Sequence, residues 1–363
     1  MKSISKKRIA RRRCFKRIAA QFSPTDLLGS RNLWDLLGLR NLCVLIFMLI
    51  SVLLSGCGSR NIAMSYEVNN DQVAFKMFDI LDDVPTARPF ATDLVVVPGD
   101  IAGNVNQALM AEVGGAALLG TDDKTVIYAK DVYERLSPAS LTKIMTALVA
   151  LKYGTIDVYI TASSHVDISE SRAQVCGIER GDQLTLAQAL SLAIINSAND
   201  AAIVVAEGVA GTIEEFVLLM NREAKALGAT NTNFMNPHGL SHEDQYTTIY
   251  DMYLILNAAI KYDAFNQIIS MPSYTTSYTR ANGEQREISV QNTNQFLQNV
   301  YDYPNDITVI GGKTGTTQAA GHCLAIVAKN AMGRTYLSII MRSETRDDVY
   351  GQTAELFRQI SSD

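Results

Sequence analysis

The sequence predicts an α+β domain in which helices pack on an antiparallel sheet. A β-hairpin comes first, a run of helices follows, and two strands with a closing helix end the chain. Strands and helices that are segregated along the chain are typical of α+β folds, whereas strict alternation would predict a parallel sheet. About 260 residues lie in this region, which is enough for one domain of two lobes.

The hairpin and the first long helix are predicted from local signals. Two apolar segments, 116–119 and 125–128, are separated by a polar turn, which indicates paired strands. Ser137 and Pro138 then supply an N-cap and a first-turn proline, so a helix is predicted to start here. The apolar positions that make this helix amphipathic are Ile144, Leu148 and Leu151.

Capping and helix-ending residues predict the elements that follow. Thr185 and Gln188 match a capping box, which opens an apolar helix that runs to about Asn196. Gly228 ends a helix over 214–227. The remaining predicted elements are a helix from about residue 201, a loop at 236–240, a helix over 250–262, strands over 323–329 and 336–341, and a last helix to about residue 360.

The first 56 residues resemble an export signal. They hold eleven of the chain's 32 basic residues and two of its 37 acidic residues. The uncharged run 42–54 is short for a membrane span but suits the apolar core of a signal peptide. It leads into Leu-Ser-Gly-Cys57, which resembles a bacterial lipobox and predicts cleavage before Cys57 and its lipidation. An uncleaved signal anchor is the alternative, and both place the rest of the chain outside the cytoplasm.

These features divide the chain into a signal segment (1–56), an extracytoplasmic tether (57–100) and a globular domain (101–363). Without the signal segment the net charge changes from −5 to about −14, which argues against a nucleic-acid partner. The sequence leaves open whether Cys176 and Cys323 pair, although their apolar surroundings favour buried free thiols. The four histidines lack the spacing of metal ligands, so no metal or other cofactor is predicted.

A serine and a lysine suggest an acyl-transfer site. Serine is a weak nucleophile until a base takes its proton. Ser140 is predicted near a helix start, and Lys143, three residues later, lies on the same face within reach. As a base Lys143 must be neutral, so burial and a second cation have to lower its pKa from about 10.4. The alternative is an ordinary solvent-exposed lysine.

Ser197-Ala198-Asn199 interrupts an apolar run, where polar side chains need partners. Ser197 is predicted to pass a proton between Lys143 and a leaving amine, and Asn199 to bind a substrate amide. An ordinary turn between two helices, with self-capping side chains, is the alternative.

Lys313-Thr314-Gly315-Thr316 is predicted to form a strand edge along which a substrate backbone can lie. Gly315 removes a side chain where the ligand approaches. The side chains of Lys313, Thr314 and Thr316 suit a carboxylate, and the N–H groups of Thr316 and Ser140 suit an oxyanion. Lys313 is also the candidate for the second cation. The alternative is a glycine-rich hairpin with a surface lysine.

The strings SxxK, SxN and KTG in this order resemble the signature of penicillin-recognising serine enzymes. Single matches are weak, since residues 3–6 and 30–32 also match two of them. Longer strings resemble the D-alanyl-D-alanine carboxypeptidases among the low-molecular-mass penicillin-binding proteins, and the resemblance spans about residues 114–357. The strings that carry it lie at 137–147, 197–202, 236–240 and 320–324.

The resemblance implies the penicillin-binding-protein/β-lactamase fold, with a helical lobe beside the sheet. It also implies that 101–363 is a serine D,D-peptidase domain acting on peptidoglycan stem peptides through an acyl-enzyme at Ser140, which β-lactams would trap as covalent inhibitors. Many members continue into a β-rich domain and a C-terminal amphipathic anchor, whereas this sequence stops soon after the closing helix, so an N-terminal lipid is expected to take over the anchoring. Thr316 stands where many members have an aromatic residue or histidine, so the substrate subsite is expected to differ.

The sequence is also compatible with related activities. A D,D-endopeptidase would use the same site, and a penicillin-binding sensor would acylate with little turnover. A β-lactamase is disfavoured, because Tyr253 stands where the Glu-x-x-Leu-Asn string of class A enzymes has its glutamate. Arg342 and Arg346 are further candidates for binding a carboxylate.

Overall fold

The computed structural model describes residues 92–171 and 173–360, and it confirms the α+β class. Its main sheet has five antiparallel strands in the order β2-β1-β9-β8-β7. The predicted hairpin is β1–β2, the predicted closing strands are β8 and β9, and β7 lies at an edge. The strands are β1 (Gly115–Gly120), β2 (Thr125–Lys130), β7 (Ile307–Thr317), β8 (Gly321–Asn330) and β9 (Thr335–Ser343).

A second sheet of four antiparallel strands, in the order β3-β4-β5-β6, has no counterpart in the sequence prediction. Its strands are β3 (Tyr159–Thr161), β4 (Gln183–Thr185), β5 (Ser273–Thr279) and β6 (Gln285–Gln291). Three-residue strands are too short to show a period of two, and β5 and β6 are rich in Ser, Thr and Gln. Because of this shortness and this polar composition, the hydrophobic pattern of the sequence does not indicate these strands.

The helices are α1 (Gln107–Ala111), α2 (Thr142–Tyr153), α3 (Leu186–Ile195), α4 (Asn199–Ala210), α5 (Ile213–Ala226), α6 (Ile249–Ala259), α7 (Asp263–Ser270) and α8 (Arg346–Phe357). Helix α2 is buried over its first nine residues because α3, α4, α5, α6 and α7 all contact it. The predicted helix is therefore confirmed but its amphipathic character is wrong, because α2 is the central helix of the helical lobe.

The start of α2 also differs from the prediction. Helix α2 begins at Thr142, and a short 3-10 turn over Ala139–Leu141 precedes it. Ser137 is not its N-cap, since Leu141 occupies that position without a side-chain hydrogen bond. The physical reason is Ala139, whose φ of +46° interrupts a right-handed helix after the proline. Ser140 therefore lies in the turn.

Other helix boundaries follow the predicted signals. The capping box at α3 is confirmed, with reciprocal hydrogen bonds between Thr185 and Gln188 at 2.8 and 3.2 Å. The helix predicted over 250–262 ends early, because Tyr262 is extended and separates α6 from α7. Helix α7 is absent from the prediction.

The described domain begins before residue 101. Val95 and Val97 are buried in its core, and the Val95 N–H donates a hydrogen bond to Tyr253 Oη at 2.7 Å. Cys176 and Cys323 are buried free thiols, as expected. The predictions for the signal segment and Cys57 lie outside the described residues.

None of the helices in the described part of the chain is both long and apolar enough to cross a membrane.

Candidate active site

Ser140 lies in a turn that the Asn-Pro-His-Gly-Leu loop supports. A Cβ on Gly239 would lie only 1.9 Å from the carbonyl oxygen of Ala139, so the loop backbone and the turn are in close contact. Asn236 fixes the loop by accepting a hydrogen bond from the Gly239 N–H at 2.7 Å and donating one to the Leu240 carbonyl at 3.0 Å. The loop therefore shapes the backbone beside Ser140.

Replacing Gly239 with alanine should destabilise the protein. Its φ is +91°, and the strain of such a backbone adds to the clash with Ala139, so we expect a loss of at least about 2 kcal/mol in the free energy of unfolding. Denaturant unfolding followed by circular dichroism measures it. Gly283→Ala is the matched control, because Gly283 has a φ of +87° but open space around its added Cβ. Equal losses in the two variants would show that the packing argument is wrong.

Lys143 contacts the Ser140 hydroxyl directly. Its side chain is wholly buried, which excludes the solvent-exposed alternative. Lys143 Nζ lies 3.0 Å from Ser140 Oγ, and it donates to Asn199 Oδ1 at 2.6 Å and to the carbonyl oxygen of His238 at 2.5 Å. With its two N–H groups held by these oxygens, a neutral amine directs its lone pair to the serine hydroxyl, a geometry that suits proton transfer.

The pKa of Lys143 is lowered well below its ordinary value. Burial is the main cause, the charge of Lys313 adds to it, and Asp200 opposes it. A neutral amine can accept the serine proton, so this shift provides the base that the sequence requires. The imidazole of His238 is also uncharged, since burial and the nearby Lys143 lower its pKa to about 3.

Ser197 lies in a strained turn between α3 and α4. Its φ is +63°, a conformation that costs a residue other than glycine on the order of 1–3 kcal/mol. Ser197 Oγ accepts a hydrogen bond from Lys313 Nζ at 2.9 Å, and no side chain caps α4. The arrangement differs from a self-capped turn, and it places the hydroxyl at the second lysine.

The first two residues of α4 have different roles. Asn199 accepts from Lys143 through Oδ1, which leaves its amide nitrogen for a ligand. Asp200 is wholly enclosed, and its carboxylate accepts the backbone N–H groups of Cys176 and Ile178 at 2.9–3.0 Å. Asp200 lies in the first turn of α4, and it also fixes the 176–178 segment, a role the sequence does not reveal.

Strand β7 presents the third motif at the edge of the main sheet. Lys313 is 1% exposed, which excludes a surface lysine, and burial lowers its pKa to about 7. Thr314 and Thr316 alternate with it and line a cleft. Thr314 Oγ1 donates to Thr293 Oγ1 at 2.6 Å, and Thr316 Oγ1 lies 3.2 Å from His322 Nδ1.

The backbone of β7 passes close to Ser140. A Cβ on Gly315 would lie 3.1 Å from the Ser140 nitrogen and from Ala139 Cβ, so a larger residue would push the strand and the turn apart. This close approach is the local reason for glycine in the motif. It brings the strand that carries the Thr316 N–H next to the turn that carries the Ser140 N–H.

A polar cleft of about 1490 Å³ unites the motifs. Ser140, Ser197, Asn199, Thr314 and Thr316 line it, and the two buried lysines lie behind these side chains. The structure therefore brings together seven of the predicted site residues: Ser140, Lys143, Ser197, Asn199, Lys313, Thr314 and Thr316. Arg346 also lines the cleft, whereas Arg342 is not among the lining residues. Sequence reasoning missed Thr293 and His322, because neither lies in one of the three strings.

Comparison with known proteins gives a consistent result. A family model described as D-alanyl-D-alanine carboxypeptidase matches residues 104–345, which is more than half of the chain. The chain is 35% identical over 261 residues to the Bacillus subtilis D-alanyl-D-alanine carboxypeptidase DacF, and the match covers 70% of this chain and 63% of that protein. A D-alanyl-D-alanine endopeptidase of Pseudomonas aeruginosa is 31% identical, with 64% and 72% covered.

The fold is also shared with solved structures. The Streptomyces K15 DD-transpeptidase is 25% identical with a TM-score of 0.63, and the match covers 68% of this chain and 96% of that one. The chain matches less than two thirds of the first curated relatives, namely 63% of DacF and 52% of the Escherichia coli carboxypeptidase DacC. On the family match and these relatives, the chain belongs to the D-alanyl-D-alanine carboxypeptidase family.

Proposed function

We propose that this protein is a serine-type D-Ala-D-Ala carboxypeptidase that removes the terminal D-alanine of peptidoglycan stem peptides. The observation that carries the proposal is the 3.0 Å contact between Lys143 Nζ and Ser140 Oγ, with the pKa of the lysine lowered. A nucleophile and its base are thus in contact inside a cleft large enough for a peptide. Family membership supports the substrate class.

In the proposed acylation, Ser140 Oγ attacks the carbonyl carbon of the penultimate D-alanine while Lys143 takes the hydroxyl proton. The N–H groups of Ser140 and Thr316 stabilise the negative charge on the carbonyl oxygen. The C–N bond then breaks, and Ser197 passes the proton that Lys143 took to the leaving amine of D-alanine, which leaves Lys143 neutral again. Water hydrolyses the remaining ester, with Lys143 as the base, and this regenerates the serine.

The substrate carboxylate is proposed to bind between Thr314 and Thr316. The contacts of Lys313 refine its predicted role, because its Nζ donates to Ser197 Oγ and to the Thr314 carbonyl at 2.9 Å each. Lys313 therefore attracts the carboxylate by its charge from behind Ser197. The free amide nitrogen of Asn199 is proposed to hold a substrate carbonyl.

Product analysis tests the proposal. The full-length chain, purified in detergent, should release free D-alanine from diacetyl-L-Lys-D-Ala-D-Ala. Cleavage of a cross-linked muropeptide dimer without release of D-alanine would favour the endopeptidase, an alternative supported by the 31% identity to a protein of that name. Stoichiometric labelling by benzylpenicillin without cleavage of either substrate would overturn both and favour a sensor.

We also propose that a lipid on Cys57 anchors the protein at the outer face of the cytoplasmic membrane. Each buried methylene contributes about 0.8 kcal/mol, so several acyl chains hold a protein firmly. Cys57→Ser should therefore abolish palmitate labelling and processing of the precursor, as measured by fractionation and gel mobility. Cys14→Ser, within the signal segment, should change neither. Unchanged labelling and mobility in Cys57→Ser would rule out the lipid and favour the signal anchor.

A further inference from the structure

A pair of hydroxyl groups in the cleft includes a residue outside the three motifs. Thr314 Oγ1 donates to Thr293 Oγ1 at 2.6 Å, at the short end of the range for hydroxyl hydrogen bonds. Both residues line the cleft, and Thr293 lies in the segment that connects β6 to β7. The KTG strand therefore has a partner that the proposed mechanism does not use.

The backbone of Thr293 is held at both of its polar groups. Its N–H donates to the carbonyl of Ile195 at 3.0 Å, at the end of α3 and two residues before Ser197. Its carbonyl accepts a hydrogen bond from Tyr350 Oη of α8 at 3.3 Å. Thr293 thus links the serine turn, the KTG strand and the last helix.

Aromatic packing keeps Tyr350 in place. Its ring stacks on Tyr301 with centroids 4.4 Å apart and an interplanar angle of 5°, and it meets Phe296 edge-on at 4.8 Å. Tyr350 Oη also accepts the N–H of Gln295 at 2.8 Å. The segment that carries Thr293 is therefore already ordered before a ligand binds. Binding does not have to order it, so no conformational entropy of this segment is lost.

We infer that Thr293 and Thr314 act as a hydrogen-bonded pair that makes the cleft selective for the carboxylate at the substrate's C-terminus. This inference rests on the proposed function. A lone threonine hydroxyl can rotate, whereas the bond to Thr293 fixes Thr314 Oγ1 in the cleft. Because Thr314 Oγ1 donates its proton to Thr293 Oγ1, the Thr293 hydroxyl keeps its own proton for a ligand, and a hydroxyl that accepts a hydrogen bond is a stronger donor. Bonds to a carboxylate are charge-assisted, so they gain more from this arrangement than bonds to a neutral group.

Thr293→Val tests the inference, because valine keeps the shape of the side chain but removes the hydroxyl. The full-length protein in detergent is acylated with benzylpenicillin and with its uncharged methyl ester, and it is assayed with D-Ala-D-Ala peptides that end in an acid or an amide. We expect the rate with the two acids to fall about three- to tenfold, mainly through KM, and the rate with the ester and the amide to fall less than about twofold. Thr293→Ser should restore the preference for the acids.

Equal losses on acid and neutral ligands would leave the acid preference of Thr293→Val unchanged, which would show a merely structural role and overturn the inference. The penicillin pair reports acylation even where no D-alanine is released. A wild-type protein that prefers the penicillin acid, and loses this preference in the variant without ever releasing D-alanine, would therefore refute the carboxypeptidase proposal and support the role of Thr293.

Discussion

Ser140→Ala should abolish covalent labelling by benzylpenicillin and reduce release of D-alanine by roughly four to six orders of magnitude. The reason lies in the surroundings of Lys143. Its other two hydrogen-bond partners are the amide oxygen of Asn199 and the carbonyl oxygen of His238, and neither can act as a nucleophile. Intact-protein mass spectrometry measures the adduct, and an enzymatic assay measures the released D-alanine.

A second serine of the same cleft provides the control for this prediction. Ser241 lines the cleft just after the Asn-Pro-His-Gly-Leu loop, so Ser241→Ala changes the local hydroxyl content without changing the Ser140–Lys143 contact. It should be labelled like the wild type. An adduct that persists in Ser140→Ala and maps by peptide mass spectrometry to Ser197 would show that the nucleophile is wrongly assigned.

The sequence predicted those parts of the molecule that depend on local chemistry. The capping box of α3 needs only Thr185 and Gln188, because both hydrogen bonds are made within one turn. The strands β8 and β9 are continuous apolar segments that pair through a short turn, so they also carry a local signal. The spacing of three residues correctly predicted that the side chains of Ser140 and Lys143 are in contact, even though the serine lies just outside the helix.

The remaining features depend on residues that are distant in the sequence. Asp200 binds the backbone 22–24 residues before it, and Thr293 contacts Thr314 21 residues after it. Neither contact has a periodic signal. The strained φ angles of Ala139 and Ser197 are similarly invisible, because neither residue type favours a left-handed conformation. The folded domain imposes those angles, and both of them lie at the candidate site.

The site is also costly for the fold. Two lysine side chains are almost wholly buried, and each has its pKa lowered, so burial disfavours their charged forms. Two residues other than glycine hold strained backbones beside them. Buried lysines and strained backbones lower the stability of a fold, and they are expected at functional sites, where activity requires a destabilised geometry. They support a chemical role for this cleft, since a purely structural site would gain from apolar residues at these positions.

Lys143→Met should lower the rate of acylation by benzylpenicillin about 10²- to 10⁴-fold, the range expected when a general base is lost. The variant should still unfold cooperatively in a thermal scan, because methionine fills much of the same volume without a buried charge. Stopped-flow or quenched labelling measures the rate. Lys329→Met, at an exposed position of β8, is the control for the loss of a positive charge and should acylate like the wild type.

The pH dependence of the acylation rate distinguishes the loss of the base in Lys143→Met from a general disruption of the structure. Burial and the charge of Lys313 lower the pKa of Lys143 well below its ordinary value, and burial lowers the pKa of Lys313 to about 7. The wild-type rate should therefore rise with pH as the neutral amine of Lys143 forms, at a pH well below that of an ordinary lysine. Above about pH 7 it should fall for benzylpenicillin as Lys313 loses its charge, but much less for the methyl ester, which has no carboxylate to attract. Lys143→Met should lose the rising limb, and a limb of unchanged shape in that variant would show that another group is the base.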